Sequence, residues 1–346
     1  MSNLSILLSI LGALADQSPQ LGVDIHDYHL KSTAGITILN HYGAIEVQGW
    51  SLDKVRVEVK KSTNGNLSFE VDQSENKFEI RTTAGKNQFL AEKIKTRSKL
   101  PEGGIDLLVR APAHVPLTLL SKNSKIVLKG WGALTEISAS HGDIKIENIT
   151  SPVTRIACPD CKIRIGDAKG TIKISGGKGN IDLKQIESQD LFIESTSGIV
   201  NLEQVSGSGI LVTDSGQMRA KKLEGQYAFK SRSAEVLLTE TKGSIHGESR
   251  SGNIHIEVKE WTSLDKQLIS SEEGSIHVSL PPSFSGEIEA VSQMGKLNMD
   301  FPLTKTVAKK IYGPEPMNHY MGKAGRGGEL LSIQSTKGNI WLLQAI

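Results

Sequence analysis

The stretch KGNIDLKQIESQDLFIESTSGIVNLEQV, residues 178–205, carries one rhythm twice. Gly179 leads into Ile181-Asp-Leu183, then two polar residues and Ile186. Nineteen residues on, Gly198 leads into Val200-Asn-Leu202, two polar residues and Val205. The apolar positions persist while the residues between them change. Strict alternation of this kind sends one face of a strand inward and the other outward.

The rhythm extends along the chain. Apolar pairs fall at Ile144/Ile146, Ile163/Ile165, Ile181/Leu183, Val200/Leu202, Met218/Ala220, Val236/Leu238, Ile254/Ile256, Ile276/Val278 and Leu297/Met299. Steps of 18 or 19 residues lengthen to 22 and 21 at the end. A third apolar residue follows at Ile149, Ile186, Val205 and Leu223, and turn glycines such as Gly142, Gly179, Gly252 and Gly274 precede many pairs. A weaker series runs half a period out of phase through Ile172/Ile174, Leu191/Ile193, Ile210/Val212, Tyr227/Phe229 and Ile245/Gly247.

Each period therefore holds two short strands and two turns, with no run of helical spacing. The sequence predicts an all-β fold, a parallel β-solenoid of about 18–19 residues and two strands per coil. Equivalent strands stack in register, so inward columns stay apolar. The outward column Lys145, Arg164, Asp182, Asn201, Arg219, Leu237, His255, His277, Asn298 needs only to be soluble. A single coil buries too little apolar surface to offset ordering its backbone, so only a stack is stable. On this reading Val200→Asp is severe and Asn201→Asp nearly silent.

The pattern divides the chain into a leader or short N-terminal helix (1–23), a β-rich N-terminal cap continuous with the solenoid (24–120) and regular coils (121–301). An irregular loop rich in Pro and Gly (302–328) and closing C-terminal strands (329–346) follow. Leu331-Ser-Ile333 and Ile340-Trp-Leu342 resume the rhythm and close the stack.

Bulk composition narrows the function. Lys and Arg total 40 against 38 Asp and Glu, which argues against a general electrostatic grip on nucleic acid. The apolar run from Leu4 to Ala15 is too short to span a bilayer, and no later segment is long enough. Ala13-Leu14-Ala15 has the form of a signal-peptidase site, but no Lys or Arg precedes the apolar run. Localisation leans to export or the cell envelope, with cleavage after Ala15, and the cytoplasm is the alternative.

The two cysteines, Cys158-Pro-Asp-Cys161, read as a structural pair at a strand turn, disulfide-bonded if exported. His255 and His277 share a repeat position in neighbouring coils and read as an exposed polar ladder, since no third metal ligand accompanies them. Glycoside hydrolysis needs two carboxylates about 5–9 Å apart, and the outward column supplies only Asp182. Glu187, Glu194 and Glu203 read as solvated surface. No catalytic, metal or cofactor residue is assigned. No phosphate loop, nucleophile elbow or zinc-protease helix is present. Trp50, Trp131, Trp261 and Trp341 read mostly as buried cap residues.

Several segments together resemble the adhesin-like β-solenoid domains of unknown function found in bacteria and some eukaryotes. They are HYGAIEVQGWSLDKVRVEVKKS (41–62), VRAPAHVPLTL (109–119), SHGDIKIENI, TSGIVNLEQV and RSGNIHIEV among the repeats, and GRGGELLSIQSTKGNIWL (325–342). The resemblance covers nearly all of residues 30–346 and implies surface attachment, with no catalytic residues to carry over. The expected function is a non-enzymatic adhesion or scaffold module whose faces bind an unidentified protein or glycan, or copies of itself. The alternatives are a polysaccharide-active β-helix enzyme and a filament-forming scaffold of cytoskeletal type.

Overall fold

The computed structural model describes residues 23–30, 35–61, 67–84, 104–262, 265–311 and 317–345. The expected leader lies outside these residues as far as residue 22, as does the cleavage position after Ala15. Twenty-three strands join into one continuous sheet, and no α-helix forms among the described residues.

The N-terminal strands are β1 (Val23–His29), β2 (Gly35–Tyr42), β3 (Ile45–Trp50), β4 (Lys54–Lys61), β5 (Leu67–Gln73), β6 (Lys77–Ala84), β7 (Ile105–Pro112) and β8 (Leu117–Lys129). The middle is built from long strands that bend around a corner: β9 (Thr135–Cys158), β10 (Asp160–Gly176), β11 (Ile181–Ser195), β12 (Ile199–Thr213), β13 (Gln217–Ser231) and β14 (Glu235–Ser249). Shorter strands follow: β15 (Ile254–Trp261), β16 (Gln267–Ser271), β17 (Ile276–Leu280), β18 (Gly286–Ser292) and β19 (Leu297–Asp300). The last are β20 (Lys305–Ile311), β21 (Met317–Ala324), β22 (Leu330–Ser335) and β23 (Ile340–Gln344).

From β9 to β15 each coil pairs in parallel with the next. Ile144, Ile163, Ile181, Val200 and Met218 therefore lie one above another, and all are at most 1% exposed. This column forms the first side of the solenoid. The half-period series forms the second side, with Ile174, Ile193, Leu211 and Phe229 in one inward column. The third apolar residues, Ile149, Ile186, Val205 and Leu223, are buried as well.

The second series needs one correction. Leu211 is the buried residue, whereas Ile210 is 51% exposed and Val212 half-buried on the outside. Three apolar residues in succession carry no period, so alternation could not set the phase there. Gly209 takes the other inward place, between Leu191 and Tyr227. The hydroxyl of Tyr227 is buried without a partner among the described residues. One coil beyond Tyr227, the ring of Phe229 occupies the space a side chain at Gly247 would fill.

The ends depart from chain order. β22 lies between β16 and β18, and β23 between β17 and β19. The last coil in sequence is thus slotted one level inside the stack. Ile340 and Leu342 are fully buried, while Leu297 and Met299 remain partly exposed at the true end. The N-terminus repeats the device: β2 lies between β6 and β8, and β3 between β7 and β8. The inward column of the first side then reads Leu107, Ile45, Ile126, Ile144 at one end and Ile254, Ile276, Ile340, Leu297 at the other. Local alternation is identical in every coil, so it cannot say which coil a strand stacks upon.

Residues 302–328 are also not an irregular loop throughout: β20 and β21 pair antiparallel, and β21 pairs with the edge of β18. At the opposite end β4 and β1 extend β7, and β5 extends β6, all antiparallel. Such additions cover the outermost parallel coils, whose free edges would otherwise invite pairing with other chains. The uncovered edge β19 has only 4 residues.

Candidate binding faces

The corners explain how coils stack closely. One column of buried small polar residues runs Ser195, Thr213, Ser231, Ser249, Ser271, Ser335 and Ser292. Three residues after each stands a glycine, or Ala234 in one coil. The backbone N–H of Gly252, Gly274, Gly338 and Gly295 donates to the hydroxyl of Ser249, Ser271, Ser335 and Ser292 at 2.9–3.1 Å. This turn satisfies a backbone donor locally, as serine does in ST-turns. A Cβ at Gly338 would sit 2.0 Å from the carbonyl oxygen of Gly274, so the corner excludes larger residues by contact. The hydroxyl three residues before the glycine shows in the sequence as a repeated [ST]-x-x-G, a signal that the spacing of the glycines alone does not carry.

Cys158 and Cys161 occupy these same two positions. Cys158 pairs with Gly176, one level before Ser195, and Cys161 pairs with Gly142 in the glycine column. Both are buried and joined in a disulfide, with Cα atoms 5.6 Å apart. One coil thus closes its corner with a covalent bond where the coils from Ser195 onward use a hydroxyl.

On the outside of the first side, His255 and His277 come together with ring centroids 6.0 Å apart. Because β23 is slotted in, Trp341 rather than Asn298 follows His277, stacked at 4.0 Å and 12°. Burial, and secondarily the neighbouring His255, lowers the pKa of His277 from its ordinary value. Among the described residues no three His, Cys, Asp or Glu side chains are placed to hold a metal ion. The other tryptophans differ in burial: Trp131 is 1% exposed, whereas Trp50 and Trp261 are half-buried.

Shallow grooves cross the outer faces. One of ≈ 640 Å³ passes Lys145, Arg164, Asp182, Asn201 and Arg219. Its carboxylates are engaged: Lys145 meets Glu147 at 2.6 Å, Lys184 meets Glu203 at 3.3 Å, and the Asn201 amide donates to Asp182 at 2.7 Å. Asn201→Asp would therefore set two carboxylates side by side, so it is not the silent change that the alternation suggested. Further along, a hydrogen bond from Lys259 lowers the pKa of Glu240, with Lys221 beside it. Glu187 pairs with Lys169 at 2.9 Å. A second groove, ≈ 540 Å³, follows the serine corner past Asp214, Arg232, Arg250 and Glu272. A third, ≈ 470 Å³, crosses the second side past Arg155, Lys173 and Phe192.

No curated protein matches the chain. A crystal structure described as a "putative cell adhesion protein" from Clostridium sporogenes shares 12% identity over 94% of this chain and 99% of that one. Its TM-score is 0.24, too low for the likeness to carry an argument. The family described as Toastrack DUF4097 matches residues 25–342, nearly the whole of the stack and both of its ends. This chain, a β-solenoid with slotted terminal coils, belongs to the Toastrack DUF4097 family.

Proposed function

We propose that this protein is a non-enzymatic binding module, an adhesion or scaffold element that presents long regular faces to a protein, a glycan or another copy. The observation that carries this reading is the contrast between interior and exterior. The inward columns of the two sides are almost wholly apolar, while many of the outward charges neutralise one another from coil to coil instead of converging on a reacting point. Lys184 with Glu203 and Lys169 with Glu187 are such rungs. The buried disulfide supports an oxidising compartment, where such bonds persist.

The test is incubation of the purified protein with a panel of glycans, scoring both retention and turnover. Retention without turnover is the expected outcome. Hydrolysis or elimination that disappears in Asp182→Ala would overturn the reading in favour of a polysaccharide-active enzyme using the ≈ 640 Å³ groove.

A further inference from the structure

The outside of the second side carries an apolar patch in the middle of the stack. Phe192, Ile210 and Ala228 occupy successive levels of one outward column, and Val212 lies beside Ile210 in the next. Ile210 is 51% exposed, the others half-buried. An apolar patch rimmed by polar residues is the form that interaction sites take.

The charges that flank the patch indicate what covers it. Glu194, Val212 and Lys230 are consecutive in one outward column, a carboxylate one level below the valine and an ammonium one level above. Both charged residues are exposed, and neither meets an ion-pair partner among the described residues. They stand roughly 9.6 Å apart, two strand spacings, too far to neutralise each other directly. Nearby, Lys173 pairs with Asp190 at 3.0 Å.

From this arrangement we infer that two copies of the chain dimerise face to face through the second side. The two-fold axis runs parallel to the strands at the level of Ile210 and Val212, so the solenoids lie antiparallel. Ile210 then meets Ile210 of the second copy, and Val212 meets Val212. Phe192, one level below, meets the small Ala228 of the second copy, one level above, so a large side chain faces a small one. Glu194 meets Lys230 of the second copy, twice by symmetry. A two-fold along the stack axis instead would set Glu194 against Glu194. The charges thus select one relative orientation of an isologous interface. The patch is small, so the dimer belongs to the weak, transient class.

This deepens the reading above by naming a second copy as one occupant, and it rests on that reading in treating the outer faces as binding surfaces. The test is sedimentation equilibrium of the full chain across roughly 1–100 micromolar, the range of weak complexes. Thermal melts verify that each variant folds. Wild type is expected to dimerise. Glu194→Lys and Lys230→Glu each should weaken association about tenfold, because two like-charge contacts replace two ion pairs. An equimolar mixture of the two single variants should recover dimers, since each supplies the charge the other lacks. A folded wild type that stays monomeric, or single variants that dimerise unchanged, or a mixture that fails to recover, overturns the proposal. A monomer that still retains a glycan would remove the dimer and leave the binding-module reading standing.

Discussion

In the middle of the stack, neighbours in space are neighbours in sequence: the coil of Val200 rests on that of Ile181 and carries that of Met218. At both ends this is untrue. The coil of Ile340 lies between those of Ile276 and Leu297, and the coil of Ile45 between those of Leu107 and Ile126. The difference teaches how a repeat protein closes itself. A central coil is held by the coils made just before and after it. A terminal coil slotted inward is held on both sides by segments that the chain must lay down around it, so neither β2 and β3 nor β22 and β23 are left as an outer edge.

The largest effects should come from charges placed inside. Ile340→Asp buries an unpaired carboxylate at a fully buried position and should cost several kcal/mol, as much as Val200→Asp. Leu297→Asp, at the partly exposed end, should cost about 1–2 kcal/mol. Urea melts rank the three. If Ile340→Asp proved the mildest, the last coil would be the outermost one.

Corner and mid-strand glycines should separate next. Gly338→Ala drives a methyl against the Gly274 carbonyl and should cost on the order of 2 kcal/mol. Gly166→Ala meets nothing within 4 Å and should be neutral or slightly stabilising. Equal melting points for the two variants would contradict the close approach of coils at the corner.

The disulfide corner offers a smaller effect. Cys158→Ala with Cys161→Gly should cost about 2 kcal/mol, the low end for so short a loop. Cys158→Ser with Cys161→Gly rebuilds the corner used by Ser249 and Gly252 and should recover about 1 kcal/mol of that loss. Identical stability of the two double variants would show that the hydroxyl does not stand in for the bond.

The smallest expected effect is pH-dependent and belongs to the slotted end. Stacking under Trp341 helps bury His277, whose folded pKa lies below its ordinary value. Its neutral form is therefore favoured on folding. That contribution is complete above about pH 6.5 and declines as the pH falls towards the folded pKa. His277→Gln should remove a shallow acid-side slope in Tm between about pH 7 and 5. A slope unchanged in that variant would exclude His277 as its source.

Much of this fold was legible because the inward columns of the first side hold apolar residues in every coil. Ile144, Ile163, Ile181, Val200 and Met218 could be aligned by counting, and the structure stacks them. Ile210-Leu211-Val212 was not legible, since three apolar residues in succession fit either phase. The slotting of Ile340 was not legible because stacking order is a non-local property, decided by which coil offers a free edge. The His255–His277 ladder could be read from the repeat, whereas Trp341 could be placed beside His277 only once that order was known.

Cross-linking tests the slotted order most directly. Disulfides form only when Cα atoms lie within about 7 Å, which admits adjacent strands and excludes strands two spacings apart. Cysteines replacing His277 and Trp341 should oxidise to a bond found by peptide mapping, and cysteines replacing His277 and Asn298 should not. A bond between positions 277 and 298, with none between 277 and 341, would show that the last coil does not lie inside the stack.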